Sequence, residues 1–504
     1  MSPQQAYDQL IREIKELALL ESCASVLFWD ERTYMPRGGA AHRAAQVSML
    51  AGMGHERFTD PRIGELLTEI EASDIIKEPE SEAAVNVREI RRAYDKETKL
   101  PKKLVEEITR VTTLAQGEWV TARKNSDFKH FEPWLEKVLK LEREKAEAYG
   151  YEGEPYNALL DNYEPGATVE HIEKVFKELR EDLVVLVQNI ENAPKKPDHK
   201  IVERIYPVEL QRIFGEAVAA AMGYSFDTGR LDITTHPFCT GLGVGDTRIT
   251  TRYNPHRLND ALFGIMHEAG HGLYEQGLEK EKHFGTPMAE SVSLGIHESQ
   301  SRMWENQVGR SRSFWVYFFP QAQRIFREAL DGVSPDDFYG AINYVTPSYI
   351  RVEADEATYN LHILLRFELE RAMLKGDLKP ADVAGEWNRR FKNYFGIEVD
   401  KDANGALQDV HWSAGLVGYF PTYTLGNLYS AQFFGKAMEE IPDMMKQFEQ
   451  GDYSGLLNWL RDRIHRHGQR YRAADLCEKV TGKPLSHKPL IDYMNKKYGD
   501  IYGF

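Results

Sequence analysis

Residues 259–277 have the sequence NDALFGIMHEAGHGLYEQG, and residues 267–271 within it form the pattern H-E-x-x-H. Histidines four positions apart on a helix lie on one face, so the rings of His267 and His271 can reach a single metal ion. Glu268 points roughly 100° around the helix from His267, where it can hold a water molecule without ligating the ion. This stretch therefore predicts a metal site with a carboxylate beside it.

The residues around this motif predict that it lies on a helix. Asn259 is a good N-cap, and Gly277 suits the C-terminal stop. Apolar residues recur at spacings of three and four, namely Leu262, Ile265, Met266, Ala269 and Leu273. Three glycines inside the helix each cost about 1 kcal/mol relative to alanine, which indicates close packing around the site. They are Gly264, Gly270 and Gly272.

The composition excludes several classes of protein. The chain has 504 residues, 42% of them hydrophobic, which is ordinary for a soluble globular protein. No run of 18 apolar residues exists, so no membrane span is expected. A net charge of −15 argues against nucleic acid or an anionic membrane as the partner. Three cysteines far apart predict no disulfide framework, and residues 1–17 do not resemble a signal peptide, so we expect a cytoplasmic protein.

The order of patterns along the chain predicts a single predominantly α-helical domain over residues 1–504. Residues 1–230 are expected to form a mainly helical wall, residues 231–425 to carry the metal site and the substrate-binding motifs, and residues 426–504 to form C-terminal helices. We expect one large helical body with a deep active-site cleft and a small β-hairpin or sheet beside the metal helix.

The β element is predicted just before the metal helix. Residues 241–245 are glycine-rich and resemble a hairpin turn, and residues 246–253 alternate as a strand with Arg248, Thr250 and Arg252 on one face. One interpretation is a hairpin edge that pairs with an extended peptide. The alternative is a small structural hairpin with solvated arginines.

A catalytic zinc site has three protein ligands and one open position, so a third ligand is required. Glu298, on a second predicted helix over residues 291–308, is the natural candidate, and Glu290 and Glu305 remain alternatives by proximity. His297 is either a fourth ligand, a substrate contact or a hydrogen-bonded structural residue.

Two further polar groups lie C-terminal to these motifs. A helix opened by residues 346–347 is predicted to place Arg351, Asp355, Thr358 and His362 in one stripe. Either this is a solvated face with an Arg351–Asp355 pair, or Arg351 is a guanidinium fork for a carboxylate. Residues 408–412 and 419–423 are dense in His, Trp and Tyr, which either donate hydrogen bonds to an oxyanion or pack a core.

Taken together, these motifs resemble those of the carboxypeptidase Taq family of zinc metallocarboxypeptidases. The resemblance rests on H-E-x-x-H with five other segments in this order: His236-Pro237-Phe238, residues 246–250 (DTRIT), 297–300 (HESQ), 350–355 (IRVEAD) and 405–412 (GALQDVHW). It implies a fold like those of neurolysin and angiotensin-converting enzyme. It also implies a homodimer that releases single C-terminal residues with broad specificity, poorly when that residue is proline.

The resemblance also implies roles for individual residues. The zinc ligands would be His267, His271 and Glu298, and the general base would be Glu268. Arg351, with Arg248, would bind the terminal carboxylate of the peptide. His411 and Tyr423 would stabilise the oxyanion, with Tyr419 as the alternative to Tyr423. Further substrate contacts are expected from His236, His297 and Tyr419. One Zn²⁺ per chain is expected, and a His/His/Glu set also accepts Co²⁺.

Two other functions fit the residues. An oligoendopeptidase on the same scaffold would cut peptides whose C-terminus is blocked. A metal-stabilised helical binding protein would never shorten a peptide.

Overall fold

The computed structural model describes all residues, 1–504, and the fold is mostly helical. Numbered along the chain, the helices are α1 Pro3–Thr33, α2 Ala40–Phe58, α3 Pro61–Glu71, α4 Glu82–Lys99, α5 Lys102–Asn125, α6 Phe128–Tyr149, α7 Pro155–Leu160, α8 Val169–Asn192, α9 Val208–Met222, α10 Leu258–Gly277, α11 Lys280–His283, α12 Leu294–Arg302, α13 Arg312–Ile325, α14 Arg327–Leu330, α15 Pro335–Ile342, α16 Glu356–Lys375, α17 Val383–Phe395, α18 Pro421–Glu440, α19 Met444–Glu449, α20 Ser454–Arg463, α21 Ala473–Thr481 and α22 Lys488–Tyr502. None of them is both long and apolar enough to span a membrane.

The three strands are β1 Gly229–Ile233, β2 Cys239–Gly243 and β3 Asp246–Thr251. The predicted hairpin is confirmed, since β2 and β3 pair antiparallel. The sequence analysis missed β1, which pairs parallel with β3, so β3 is the central strand. The strand with the arginines therefore has no open edge, and a peptide that added to this sheet would have to pair with β1 or β2.

Residues form two compact units, neither of them continuous in sequence. The first contains residues 1–98, 198–342 and 433–483, and the second contains residues 99–197, 343–432 and 484–504. The metal helix α10 and the sheet belong to the first unit. The 346–375 and 405–432 segments belong to the second. The expectation of one catalytic domain over residues 1–504 stays a prediction.

The N-terminal helix of the first unit, α1, shows how the local sequence determines where a helix begins. Ser2 and Gln5 form a capping box, and Pro3 occupies the first helical position. Leu10 and Ile14, one helical turn apart on α1, are buried against α3 and α4. This helix is thus held by one apolar face.

The metal helix α10 packs against α9, α12 and β3. All five residues of its predicted apolar stripe are buried, and the helix ends at Gly277 as predicted. The predicted N-cap was wrong: the helix begins at Leu258, so Asn259 lies within its first turn, and the cap residue Arg257 makes no side-chain capping bond. The buried stripe, more than the cap, therefore holds this helix in place.

The segment around Arg351 also differs from the prediction. Residues Arg351–Glu353 form a single 3₁₀ turn, and α16 begins only at Glu356. Asp355 is its N-cap, and its carboxylate accepts hydrogen bonds from the backbone N–H groups of Ala357 and Thr358 at 3.0 and 2.9 Å. Because Asp355 caps α16, the Arg351–Asp355 pair of the solvated-face alternative does not form, and Arg351 does not share the predicted helical stripe with Thr358 and His362.

Candidate metal centre

Two helices of the first unit bring the three predicted ligands together. His267 and His271 lie one turn apart on α10, and Glu298 lies on α12. The Nε2 atoms of His267 and His271 are 3.6 and 3.5 Å from the same carboxylate oxygen, Glu298 Oε2. One donor atom from each of the three residues lies within 4.8 Å of the others.

This spacing fits a tetrahedral metal ion. Zinc bonds of about 2.0–2.2 Å at tetrahedral angles place neighbouring donor atoms roughly 3.4 Å apart. Burial lowers the pKa of His271 to about 3, so its ring is neutral at pH 7, as a ligand must be. Two imidazoles and one carboxylate with an open fourth position make a donor set suited to catalytic zinc.

Glu268 directly follows His267 on α10 and is not one of the three donor residues. Its side chain is buried on α10. Burial raises the pKa of Glu268 to about 7, with His267 opposing the shift. A carboxyl group of this pKa can both take up and release a proton near neutral pH. A bound divalent cation would favour its ionised form.

Glu305, an alternative third ligand from the sequence, has a different position. Its Oε2 atom is 2.9 Å from Nδ1 of His267, on the side of the ring away from Glu298. Arg302 donates to Glu298 at 2.7 Å and to Glu305 at 3.2 Å, so one guanidinium holds both carboxylates. Burial disfavours ionisation of Glu305, but Arg302 and His267 outweigh it and lower its pKa to about 2. Glu290, the other alternative, is exposed and lies outside the donor set.

His271 has a partner of another kind. Its Nδ1 atom is 2.5 Å from Nδ1 of His297, and Nε2 of His297 is 2.9 Å from Oε1 of Glu275. Lys280 in turn contacts the other oxygen of Glu275. Burial opposes ionisation of Glu275, but His297 and Lys280 lower its pKa to about 2. Both nitrogens of His297 therefore face protein groups, which leaves no nitrogen for a fourth ligand bond.

The close approach of α10 and α12 depends on Gly270. A Cβ atom there would lie 2.7 Å from Cα of Ser301 and 2.8 Å from the carbonyl oxygen of Gln300, both rigid backbone. The packing predicted from the glycines is therefore confirmed at Gly270. At Gly264 it was wrong, since the nearest atom to a Cβ there is Oγ1 of Thr251 at an ordinary 3.8 Å.

We expect Gly270→Ala to destabilise the protein by about 1–3 kcal/mol, because α12 has to move away to admit the methyl group. Since α12 carries Glu298, zinc affinity should fall as well. Gly264→Ala is the matched control on the same helix and should be neutral or stabilising by up to about 1 kcal/mol. Denaturant unfolding and chelator competition measure the two effects, and equal stability of the two variants would contradict the packing argument.

The second unit contains the Arg351 group. Nε and Nη2 of Arg351 donate to Oδ1 of Asp409 at 3.0 and 2.9 Å, and Nη1 donates to the Tyr359 hydroxyl at 3.2 Å. Arg366 donates to the other oxygen, Asp409 Oδ2, at 2.7 Å. Burial opposes ionisation of Asp409, but the two arginines hold its pKa well below the ordinary value. Two guanidinium groups around one carboxylate leave one positive charge in excess.

Arg351 also retains hydrogen-bonding capacity. The three bonds above leave one N–H on each of Nη1 and Nη2, the pair that binds a carboxylate in two-point fashion. Arg351 is itself 6% exposed, so a ligand bound to it would be largely shielded from water. This geometry favours the guanidinium-fork interpretation over the solvated face.

The predicted oxyanion residues lie near Arg351 in the second unit. The Arg351 guanidinium carbon is 5.2 Å from the centre of the Tyr423 ring, and Tyr423, Tyr419 and His411 follow with ring-centre separations of 5.4 and 5.5 Å. Burial lowers the pKa of His411 to about 4, while Asp409 opposes the shift. Its neutral ring keeps one N–H donor, and its buried Nδ1 has no hydrogen-bond partner.

The two remaining predicted contacts lie in the first unit. Arg248 donates to Asp246 on its own strand at 2.8 and 2.7 Å, and its guanidinium carbon is 4.4 Å from the ring of Trp29. His236 is exposed in the bend between β1 and β2. Neither side chain belongs to the metal donor set.

Comparison with known proteins agrees with this geometry. A family model described as carboxypeptidase Taq (M32) metallopeptidase matches residues 9–498. Thermostable carboxypeptidase 1 of Thermus thermophilus is 48% identical over 513 residues, which cover 100% of both chains. Carboxypeptidase 1 of Bacillus subtilis is 37% identical and covers 97% of both.

Solved structures give the same result. The M32 carboxypeptidase from Deinococcus radiodurans superimposes with a TM-score of 0.96 at 41% identity, over 99% of this chain and 100% of that one. The Pyrococcus furiosus carboxypeptidase has a TM-score of 0.94 at 35% identity, over 98% and 99% of the two chains.

Proposed function

This chain belongs to the carboxypeptidase Taq (M32) family of metallopeptidases, and on that premise we propose how its residues perform the reaction. It is a metallocarboxypeptidase, a peptide hydrolase that releases C-terminal residues. The finer proposal is that it removes one residue at a time, with broad specificity except for proline. The observation that carries metal-dependent hydrolysis is the donor set of His267, His271 and Glu298 with Glu268 beside it.

The first step concerns the attacking water. We propose Zn²⁺ as the ion held by these three residues; when bound, it would supply a Lewis acid that acidifies water and polarises the scissile carbonyl. Glu268 accepts the proton of the attacking water and then passes it to the leaving amine. The buried position of Glu268 on α10, next to the ligand His267, suits both halves of this transfer.

Release of a terminal residue requires recognition of a free carboxylate. The proposed receptor is Arg351, whose two remaining N–H groups and whose excess positive charge match that group. Arg248 is proposed as a second contact, and it would have to exchange part of its bond to Asp246 for the substrate.

The developing negative charge on the carbonyl oxygen requires hydrogen-bond donors. The neutral ring of His411 and the hydroxyl of Tyr423 are proposed for this role, with Tyr419 as a substrate contact beside them. His236 and His297 stay predicted substrate contacts, although both nitrogens of His297 are already paired.

The substrate specificity can be tested with one peptide in two forms. Loaded with zinc, the enzyme should shorten the free peptide stepwise from its C-terminus, and the ladder should stop before a proline. The same peptide with an amidated C-terminus should be cut at least about 100-fold more slowly, since it lacks the charge that Arg351 binds. Mass spectrometry separates the products. Internal cleavage of the amidated peptide at the same rate would instead indicate an endopeptidase.

Four further properties stay predictions. The native ion, zinc or alternatively cobalt, is checked by metal analysis of the purified protein, and the homodimer is checked by light scattering. Cell fractionation checks the cytoplasmic location. A single cooperative transition in calorimetry would support one catalytic domain over residues 1–504.

A further inference from the structure

We propose that His297 and Glu275 are positioning residues that fix the ring of His271 in the one tautomer able to bind the metal. The proposal rests on the proposed metal set, and it adds a role for two residues outside that set. It is carried by the chain of contacts from His271 through His297 and Glu275 to Lys280.

The first step is the orientation of the two rings. His271 directs Nε2 toward Glu298 at 3.5 Å and Nδ1 toward Nδ1 of His297 at 2.5 Å. Two imidazole nitrogens in hydrogen-bond contact share one proton, so one of them donates and the other accepts. The direction of this bond determines which nitrogen of His271 can bind the metal. If His271 donates from Nδ1, its neutral ring carries no hydrogen on Nε2, and Nε2 can ligate the ion.

The second step fixes that direction from the far end. A carboxylate only accepts hydrogen bonds, so Nε2 of His297, 2.9 Å from Glu275, carries a hydrogen. With Nε2 of His297 as the donor to Glu275, its Nδ1 is the acceptor for Nδ1–H of His271. Lys280 contacts the other oxygen of Glu275 and thereby favours its ionised form.

The third step is that water has little access to the series of contacts from His271 to Lys280. The side chains of His271, His297, Glu275 and Lys280 are each less than a fifth exposed. The backbone of β2 closes the outer side: a Cβ on Gly241 would lie 2.3 Å from Oε2 of Glu275. Without His297, a replacement acceptor for Nδ1–H of His271 would therefore be hard to supply.

The other ligand histidine has the same arrangement with one residue fewer. Nδ1 of His267 is 2.9 Å from Glu305 directly, so its Nε2 is also left for the metal. Nδ1 of His267 thus contacts a carboxylate directly, and Nδ1 of His271 is linked to a carboxylate through the imidazole of His297. Removal of such a partner typically lowers metal affinity by about 10–100-fold.

The test measures the dissociation constant of Zn²⁺ by chelator competition on the full chain, without reference to activity. His297→Phe keeps the ring shape but cannot accept, and we expect a loss of about 10–100-fold. His297→Gln keeps an oxygen that accepts and an N–H that donates, and it should restore at least a third of the wild-type affinity. Melting of both variants in excess chelator reports any damage to the metal-free fold.

A double-mutant cycle tests whether Glu275 acts through His297. Glu275→Gln alone should weaken zinc binding several-fold. A carboxylate can only accept from His297, whereas the amide can also donate an N–H to it, so the amide no longer fixes which nitrogen of His297 carries the hydrogen. In the His297→Phe background the same change should cost nothing further, since the link to His271 is already absent. Equal costs in both backgrounds would overturn the relay and make Glu275 a separate structural residue.

His271→Ala separates this proposal from the proposed metal set. If that variant binds zinc with wild-type affinity, the ligand assignment fails, and the relay fails with it. If it loses zinc while His297→Phe keeps wild-type affinity, the ligand set stands and only the relay is overturned. A loss in His297→Gln as large as in His297→Phe would also overturn the relay.

Discussion

Glu268→Gln is expected to lower kcat by at least about 10³-fold while the enzyme still binds one equivalent of zinc. General acid–base catalysis contributes typically 10²–10⁴-fold, and this one carboxylate is proposed for both proton transfers. The amide of glutamine has the same shape but cannot take up a proton at neutral pH. Because His267, His271 and Glu298 form the donor set without Glu268, metal affinity should change little.

The control for this variant is Glu279→Gln, the same change at an exposed carboxylate just past the end of α10. It should keep wild-type kcat and zinc affinity. Glu268→Gln should melt at the same or a higher temperature, since a neutral amide costs less to bury than a carboxylate. Retention of more than a tenth of wild-type turnover by the zinc-loaded variant would show that another group is the base.

The metal helix illustrates what the sequence predicts well. The H-E-x-x-H spacing, the apolar stripe and the stop at Gly277 are local properties, and the structure confirms the helix to within two residues at its N-terminus. The β2–β3 hairpin is equally local, because its glycine-rich turn joins adjacent strands. β1 escaped prediction because its partner β3 follows it only after β2, and no turn signal links the two.

The residues that contact the metal ligands show why the rest of the metal site could not be predicted from the sequence. Spacing could not distinguish Glu298 from Glu305, since both lie on the segment that returns to α10. Only the side-chain geometry shows that Glu298 faces the Nε2 atoms and Glu305 faces Nδ1 of His267. Glu275 belongs to α10 itself, yet its contact with His297 depends on how α10 and α12 pack.

The prediction that Arg351 lies on one helical stripe with Asp355 was wrong for a similar reason. A regular helix through residues 351–362 would have paired Arg351 with Asp355. The capping bonds of Asp355 instead start the helix later, and Arg351 pairs with Asp409, 58 positions along the chain. No local pattern contains such a pairing, although the density of polar residues in both segments did indicate that they matter.

Arg351→Ala is expected to lower kcat/KM for peptides with a free C-terminus by about 30- to 5,000-fold. This corresponds to the loss of about 2–5 kcal/mol when one partner of a buried, hydrogen-bonded charge pair is removed. The amidated form of the same peptide should be cut at the wild-type rate, which is already low. The ratio of the two rates, more than either rate alone, therefore measures what Arg351 contributes.

The surroundings of Arg351 make the variant interpretable. Asp409 keeps its bond to Arg366 when Arg351 is removed, so no buried carboxylate loses all its partners and the fold should be retained. Arg351→Lys restores the charge without the planar fork, and it should recover only part of the lost rate.

Arg371→Ala is the matched control on α16, where the arginine is also largely buried and also paired, with Glu154 and Glu173. It should cost stability through those ion pairs but leave the ratio of free to amidated cleavage unchanged. Kinetics on both peptides and zinc affinity by chelator competition complete the comparison. If Arg351→Ala slows the free and the amidated peptide by the same factor, or loses zinc in proportion to its rate, Arg351 supports the fold and does not bind the terminal carboxylate.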